Sequence, residues 1–329
     1  MNHLERFRAT VARQPVDRLP RIEWATYWDL TVDRWRNEGL PASLDSHFDI
    51  ATHFGLDPYW QAWYRACRGL PALPQHGQGH AANMDEYERL REHLFPLMDW
   101  VDDHIGPWLD RQRRGEAVVW ITLEGFFWFP RVLLGIETHL YAFYDQPELM
   151  HRVNRDLALW HVELLRRIAR LGTPAFMTFA EDMSYNHGPM LSRPLFDEFL
   201  APYYRQVVPV LKDMGTTVLV DSDGDVESLM PWLVDVGVEG ILPLERQAGV
   251  DAARLRQDMP ELVMVGHFDK LVMHRGEAAM RAEFERLLPT MRQGAFIPSV
   301  DHQTPPEVSL EQYRLYLRLL SEYTAAAAD

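Results

Sequence analysis

The chain has 329 residues, a formal net charge of -15, 47% hydrophobic residues and one cysteine, Cys67. A chain with this length and hydrophobic content buries a large core, so an intrinsically disordered protein is excluded. The acidic charge disfavours nucleic acid as a partner, because phosphate groups would be repelled. A lone thiol permits no intrachain disulfide and no metal site built from several thiolates.

The opening residues, MNHLERFRATVARQPVDRLP, lack the apolar segment of a signal peptide. No apolar run reaches the roughly 18 residues that a membrane-spanning helix needs. We therefore expect a cytoplasmic protein that has neither a membrane nor a nucleic acid as its partner.

The first half of the chain is the less regular one. We predict strands near Pro20–Ala25 and Val118–Glu124, with helices rich in tryptophan and tyrosine between them. The pattern does not reveal which segment forms the strand between these two.

The second half repeats one unit, in which an amphipathic helix ends at Gly or Pro and a short apolar strand then ends in acids or histidine. The predicted strands occupy residues 174–180, 216–220, 238–244, 262–266 and 295–300. Continuous apolar strands are typical of parallel sheets that are buried on both faces. Five such units indicate a doubly wound sheet or a (β/α)8 barrel, and no Gly-x-Gly-x-x-Gly turn or Walker A motif is present.

We predict an α/β fold, a (β/α)8 TIM barrel formed by a single domain over residues 1–329, with extra N-terminal helices. In such a barrel the functional residues lie where the strands end at their carboxyl termini. The candidates at these ends in the second half are Glu181, Asp182, Asp221, Asp223, Glu245, His267, Asp269, Asp301 and His302. Carboxylates on one rim need a cation, shared protons or basic partners, and with imidazole they suit zinc or another divalent metal.

Several of these residues have an equally ordinary structural interpretation. Asp223 precedes Gly224 and is as typical of a turn or helix cap as of a ligand. Glu245 could pair with the adjacent Arg246, and His267 could be a buried core histidine. For Asp301 we favour a structural role.

Six segments of the chain carry a family resemblance: ERFRATVARQPVDRLP, LGIETHLYAFYDQPEL, EDMSYNHGPMLSRPLFDEFLAPYY, VLVDSDGDVESLMPWL, GHFDK and SVDHQTPPEVSLEQY. In this order they resemble the uroporphyrinogen decarboxylase superfamily, which includes tetrapyrrole decarboxylases and cobalamin-dependent methyltransferases. Each motif is weak alone, but the ordered set covers nearly the whole chain. The resemblance implies a (β/α)8 barrel and often a homodimer.

The resemblance favours the methyltransferase branch. The decarboxylases carry an Arg-Gln-Ala-Gly-Arg loop after the first strand, where this chain has Glu-Trp-Ala-Thr-Tyr-Trp at 23–28. The methyltransferases bind zinc with a His-x-Cys-Gly motif and a later Cys shortly before Pro-Pro. These ligand positions fall on Asp221, Asp223 and His302, so the resemblance implies a divalent metal, zinc, on harder ligands that suit an oxygen or nitrogen donor.

The leading hypothesis is a metal-assisted methyltransferase, acting as a demethylase on a small methylated O- or N-donor. The methyl group would pass to a corrinoid on a partner protein, because this chain has no Asp-x-His-x-x-Gly corrinoid signature. The catalytic candidates are Glu181, Asp182 and His267. The substrate-binding candidates are Trp24, Trp28, Tyr185, Glu245 and Asp269.

Two alternatives stay open. One is a decarboxylase or lyase that acts without metal on a carboxylated pyrrole or aromatic acid. In it, Asp221 or Asp182 would stabilise a developing cation, and His267 or His302 would shuttle protons. The other is a non-catalytic barrel that binds a small molecule, although many ionisable groups on one rim are costly for simple binding.

Overall fold

The computed structural model describes residues 1–71 and 77–328. Its main sheet has seven parallel strands in the order β1-β2-β3-β6-β7-β8-β9. These strands are β1 (Tyr59–Tyr64), β2 (Val118–Glu124), β3 (Phe176–Ala180), β6 (Thr217–Asp221), β7 (Gly240–Leu242), β8 (Val263–Phe268) and β9 (Phe296–Val300). A small antiparallel hairpin, β4 (Ser184–Tyr185) with β5 (Gly188–Pro189), follows β3.

Helices alternate with the strands and cover the sheet. They are α1 (His3–Val11), α2 (Asp29–Asn37), α3 (His47–His53), α4 (Met84–Leu90), α5 (Val101–Arg113), α6 (Trp128–Leu134), α7 (Ile136–Asp145), α8 (Pro147–Leu171), α9 (Arg193–Phe199), α10 (Ala201–Asp213), α11 (Met230–Asp235), α12 (Ala252–Asp258), α13 (Glu277–Met291) and α14 (Leu310–Ala326). Among the residues that the structure describes, no helix combines the length and the apolar character needed to cross a membrane.

The sequence prediction of a strand at Pro20–Ala25 was wrong. This segment lies between the two edge strands of the sheet, where Tyr59 on β1 donates to the Trp24 carbonyl at 2.7 Å and the Trp24 N–H donates to Ser299 Oγ on β9 at 3.3 Å. Apart from one backbone bond, from the Asp57 N–H to the Arg21 carbonyl at 2.9 Å, the segment forms no backbone ladder, and Pro20 has no N–H to donate. The sheet curls until both edges contact one segment, but the described residues form no eighth strand to complete the predicted barrel.

The other predicted strands are confirmed with shifts at their ends, and β1 is the strand that the pattern did not reveal. Between β5 and β6 the chain forms two helices, α9 and α10, rather than one continuous helix. The break falls at Leu200, and Pro202 lies in the first turn of the new helix. Proline is favoured in the first turn of a helix because N–H groups there have no carbonyl partner within the helix. The N–H that proline lacks is therefore not needed.

The sheet has an apolar layer on each face, as the continuous apolar strands predicted. Every residue of β2 is buried. The inner layer is closed at one end by α1, whose Phe7 ring stacks on Phe176 with centroids 5.0 Å apart. The outer layer packs against the helices, above all α8, which buries its apolar face. With both faces filled, the open carboxyl ends of the strands are left to form a site.

The buried Glu124, at the end of β2, gives a testable prediction for stability. Burial raises the pKa of its carboxyl to about 7, so the folded chain binds this proton more tightly than the unfolded chain does. The stabilisation of the folded chain by this proton is fully present below the pKa of Glu124 in the unfolded chain, and it is lost as the pH rises towards 7. Relative to wild type, Glu124→Gln should therefore gain about 3 kcal/mol in free energy of unfolding between pH 5 and pH 8.

Urea unfolding of both proteins at several pH values measures this difference. Glu163→Gln, on the exposed side of α8, is the matched control and should show no such trend. A Glu124→Gln difference that stays constant with pH would show that Glu124 keeps an ordinary pKa in the folded chain.

Candidate functional site

The site begins where β3 and β6 end. The two strands pair in parallel with Ala180 opposite Asp221. The N–H groups of Glu181 and Asp182 both approach the Asp221 carbonyl, at 2.9 and 3.4 Å. Asp182 then adopts a left-handed backbone conformation, with φ of 40°, which is uncommon for a residue with a side chain. This turn leaves Asp182 and Asp221 side by side at the rim.

Four carboxyl groups, which we call the carboxyl cluster, influence one another here: Asp182, Asp221, Asp223 and Glu245. Asp221 is the most perturbed. Burial, then the charges of Asp182 and Asp223, raise its pKa well above the usual range. No described residue donates a hydrogen bond to its carboxyl oxygens, and its surface is not wholly covered. The protonated form of Asp221 is therefore favoured, and its proton is not committed to another described residue.

The other members of the carboxyl cluster are also short of partners. Burial raises the pKa of Asp223 to about 7, helped by Asp182 and Glu245 and opposed by Lys270. Burial likewise raises the pKa of Asp182, while the Asp223 backbone N–H and nearby charges oppose the rise. Glu245 accepts a hydrogen bond from the Gly224 N–H at 3.1 Å. The cluster thus binds protons or carries negative charge at neutral pH.

His302 joins the cluster from the loop after β9. Its Nε2 lies 3.8 Å from Asp223 Oδ2, and its ring meets Trp24 edge to face with centroids 6.4 Å apart. Trp24 is fixed by its indole N–H, which donates to the Val300 carbonyl at 2.6 Å. Burial and the charge of Lys270 lower the pKa of His302. A neutral imidazole beside Asp223, walled by Trp24, can accept or pass on a proton.

The predicted metal ligands Asp221, Asp223 and His302 thus meet at one rim. A metal ion needs converging donors, each roughly 2.0–2.2 Å from it for zinc. Among residues 1–71 and 77–328, no group of three or more His, Cys, Asp or Glu side chains is close enough together to hold one. The three residues as placed therefore do not fit a metal ion.

Glu181, predicted to be catalytic, lies beneath the rim and is fully buried. Its carboxylate accepts hydrogen bonds from the N–H groups of Phe126, Phe127 and Trp128 at 2.8, 2.8 and 3.1 Å, and a short one from the Tyr204 hydroxyl. These donors lie at the start of α6, where a negative charge is favoured. Burial nevertheless raises its pKa to about 7. With its oxygens occupied, Glu181 positions the loop after β2.

His267, also predicted to be catalytic, is fully buried beside α12. Its Nδ1 bonds to the Leu244 carbonyl at 2.8 Å, so this nitrogen carries the proton, and its Nε2 accepts from the Ala252 N–H at 3.1 Å. Burial lowers its pKa to about 4. Both ring nitrogens are thus occupied in a neutral imidazole, as in the core-histidine alternative. Its backbone adopts a left-handed conformation, with φ of 72°.

The remaining predicted substrate contacts divide. Trp28 precedes α2 and is 39% exposed, and Tyr185 in β4 is 50% exposed, so both rings offer free surface near the open end of the sheet. Asp269 accepts from the Leu271 N–H and from Gln247 Nε2, both at 2.8 Å, and so caps the short helix that starts at Lys270. Its carboxylate therefore has a structural task already.

Two basic residues near the cluster were not predicted. Lys270 Nζ donates to Gln247 Oε1 at 2.9 Å and to the buried Asp301 at 3.3 Å. Arg131 donates to the Asp182 carbonyl at 3.1 Å and lies over the Trp128 ring. Lys270 follows directly after β8, which could have signalled it, whereas Arg131 lies inside α6 and has no such signal.

Comparisons with known proteins give relatives in sequence and neighbours in structure. A curated uroporphyrinogen decarboxylase from Pseudomonas paraeruginosa is 23% identical over 326 residues, covering 96% of this chain and 82% of that protein. A methyltransferase structure from Methanosarcina mazei matches with a TM-score of 0.66 at 15% identity, over 98% of this chain and 99% of that one.

A structure described as a putative vitamin-B12 independent methionine synthase from Listeria monocytogenes matches with a TM-score of 0.50 at 11% identity, over 94% of this chain and 97% of that one. These structural likenesses show the fold. Residues 111–323 match the family model described as Uroporphyrinogen decarboxylase (URO-D). The chain belongs to the uroporphyrinogen decarboxylase family.

Proposed function

We propose that this protein is a methyltransferase that removes a methyl group from a small methylated nitrogen or oxygen compound at the carboxyl cluster. Membership of the family and the shared fold with the Methanosarcina methyltransferase support this class of reaction. The observation that carries the proposal is Asp221, whose pKa is raised by burial and by neighbouring carboxyl groups, and whose carboxyl oxygens receive no hydrogen bond from any described residue.

A protonated acid meets the chemical need of demethylation. When the bond between methyl carbon and heteroatom breaks, the electron pair stays on the heteroatom, and the methyl group passes to an acceptor. An ether oxygen or a tertiary amine leaves far better once it is protonated. Asp221 supplies that proton as the bond breaks, and the Asp223–His302 pair returns one to it from solvent.

The methyl acceptor in this proposal is a reduced corrinoid carried by a partner protein. The assay uses free cob(I)alamin as acceptor and three donors of different charge: trimethylamine, methoxybenzene and 4-methoxybenzoate. The carboxyl cluster favours cationic and neutral donors and repels the anionic one. We expect methylcobalamin to form with the first two and at least tenfold more slowly with 4-methoxybenzoate. Faster reaction of the anion would contradict the assignment of the site.

A decarboxylase is the second candidate, because the curated relative bears that name. Its substrate would bring carboxylates to a rim that already carries the cluster. Lys270 and Arg131 already donate hydrogen bonds to protein groups, and the carboxyl cluster itself would repel a substrate carboxylate. Release of carbon dioxide from a carboxylated pyrrole or aromatic acid, without methyl transfer, would favour this candidate.

Whether the zinc site predicted from the sequence binds an ion is a question that elemental analysis tests. Because the three residues do not converge on one point, we expect clearly less than one ion per purified wild-type chain. About one zinc per chain, lost in both Asp221→Ala and His302→Ala, would instead establish the metal and require these side chains to move together. The single domain over residues 1–329, the homodimer and the cytoplasmic location also stay predictions.

A further inference from the structure

A second cavity, separate from the carboxyl cluster, lies at the seam where β1 forms one edge of the sheet. It has a volume of about 590 Å³, which is within the usual range for small-molecule sites. Its walls come from α3, β1 and α5. The residues that line it include His47, Phe48, Trp60, Gln61, Trp108 and Arg111.

One wall of this seam cavity is aromatic and rigid. The rings of Trp60 and Trp108 stack with centroids 5.0 Å apart and an angle of 9° between their planes. The Arg111 guanidinium lies over both Phe48 and Trp108, 4.7 and 4.6 Å from their ring centres. Such a wall offers a flat apolar surface that a planar ring can cover.

His47 provides an unused polar group on the same cavity. Its ring is held between Tyr27 and Tyr59, with centroids 4.9 and 5.1 Å away. Neither ring nitrogen makes a hydrogen bond of good geometry, although both are buried. The Glu23 carbonyl interacts weakly with the ring, and burial lowers the His47 pKa to about 4. The imidazole is therefore neutral, with its proton on the nitrogen that faces Glu23 and a lone pair on the other.

Gln61 supplies a second acceptor. Its Nε2 donates to Thr122 Oγ1 at 2.8 Å. This bond fixes the orientation of the amide and leaves Oε1 as its unused end. That oxygen accepts no hydrogen bond from any described residue. The seam cavity therefore contains one acceptor on His47 that is buried without a hydrogen-bond partner among the described residues, and a second acceptor on Gln61 that is not buried.

We propose that the seam cavity is a binding site for a phenol, an aromatic ring that carries a neutral O–H donor. The ring packs against the Trp60–Trp108 wall, and the hydroxyl donates to the free nitrogen of His47 or to Gln61 Oε1. Phenols keep this proton at neutral pH. This site does not depend on the function proposed for the carboxyl cluster.

The test compares phenol with toluene, which has the same size and no donor, by calorimetric titration of the intact protein. We expect phenol to bind the wild type about tenfold more tightly than toluene, from one hydrogen bond made in a buried site. In His47→Phe, which keeps a flat ring between the two tyrosines, this preference should fall to about threefold or less. Gln61→Met, which keeps the length without the acceptor, should lower it as well.

Phenol is also the product of methoxybenzene at the carboxyl cluster, so Asp221→Asn separates the two sites. The part of phenol binding that depends on His47 and Gln61 should persist in this variant. Equal binding of phenol and toluene to the wild type would overturn the proposal without any variant. So would phenol binding that both seam variants leave intact, or binding that Asp221→Asn alone removes, because the phenol would then occupy another site. An absence of saturable phenol binding at millimolar concentrations would overturn it too.

Discussion

Replacing Asp221 with asparagine should lower the rate of methyl transfer from methoxybenzene to cob(I)alamin by a hundredfold or more. Loss of a positioned general acid typically costs 10²–10⁴-fold. Asparagine keeps the size and polarity of Asp221 but holds no acidic proton, so the methyl ether loses the group that protonates its oxygen. Initial rates at saturating donor measure the effect.

A donor that needs no proton provides the internal control. Tetramethylammonium releases neutral trimethylamine, whose nitrogen takes the bonding electron pair without protonation. Asp221→Asn should therefore change its rate much less than the rate with methoxybenzene. Equal losses with both donors would show that Asp221 binds or positions the donor rather than protonating it. Asp213→Asn, on the exposed end of α10, should alter neither rate.

The second large effect concerns stability, through Glu181. Glu181→Ala should lower the free energy of unfolding by about 3 kcal/mol or more, because three backbone N–H groups and the Tyr204 hydroxyl lose their acceptor inside the protein. Urea unfolding measures this loss. A change below about 1 kcal/mol would show that water or other groups replace the carboxylate.

Two further variants locate the cause of the Glu181 effect. Tyr204→Phe removes one donor and leaves no unsatisfied backbone group, so its cost should be clearly smaller than that of Glu181→Ala. A methyl group on Gly125 would collide with the Glu181 carboxylate. Gly125→Ala should therefore also destabilise the chain, although it removes no hydrogen bond. If Tyr204→Phe cost as much as Glu181→Ala, the hydroxyl rather than the loop would dominate.

The alternation of helices and apolar strands predicted the second half well, because each strand there is short, apolar and ended by a charged group. The first half could not be predicted as well. β1, YWQAWY, mixes exposed and buried aromatic side chains and has no apolar run. Pro20–Ala25 is apolar enough to look like a strand, but it forms no backbone ladder, and Trp24 bonds to the side chains of Tyr59 and Ser299.

The carboxyl cluster followed from strand ends alone, since Asp182, Asp221, Asp223 and Glu245 all follow strands that lie side by side. The roles of the individual residues could not be predicted from the strand ends. Glu181 and Asp182 are adjacent in sequence, yet one is buried on the start of α6 and the other faces the cluster. That difference depends on the backbone turn at Asp182 and on hydrogen-bond donors that lie more than 50 residues earlier in the chain, so no local sequence pattern contains it.

We propose that the carboxyl cluster protonates the leaving group in methyl transfer. The most direct test mixes the purified protein with cob(I)alamin and methoxybenzene, and follows methylcobalamin and phenol as products. We predict equal amounts of both, formed at a rate that depends on Asp221 and falls at high pH as its proton is lost. Absence of methylcobalamin, with carbon dioxide released instead from a carboxylated pyrrole or aromatic acid, would contradict the claim and identify a decarboxylase.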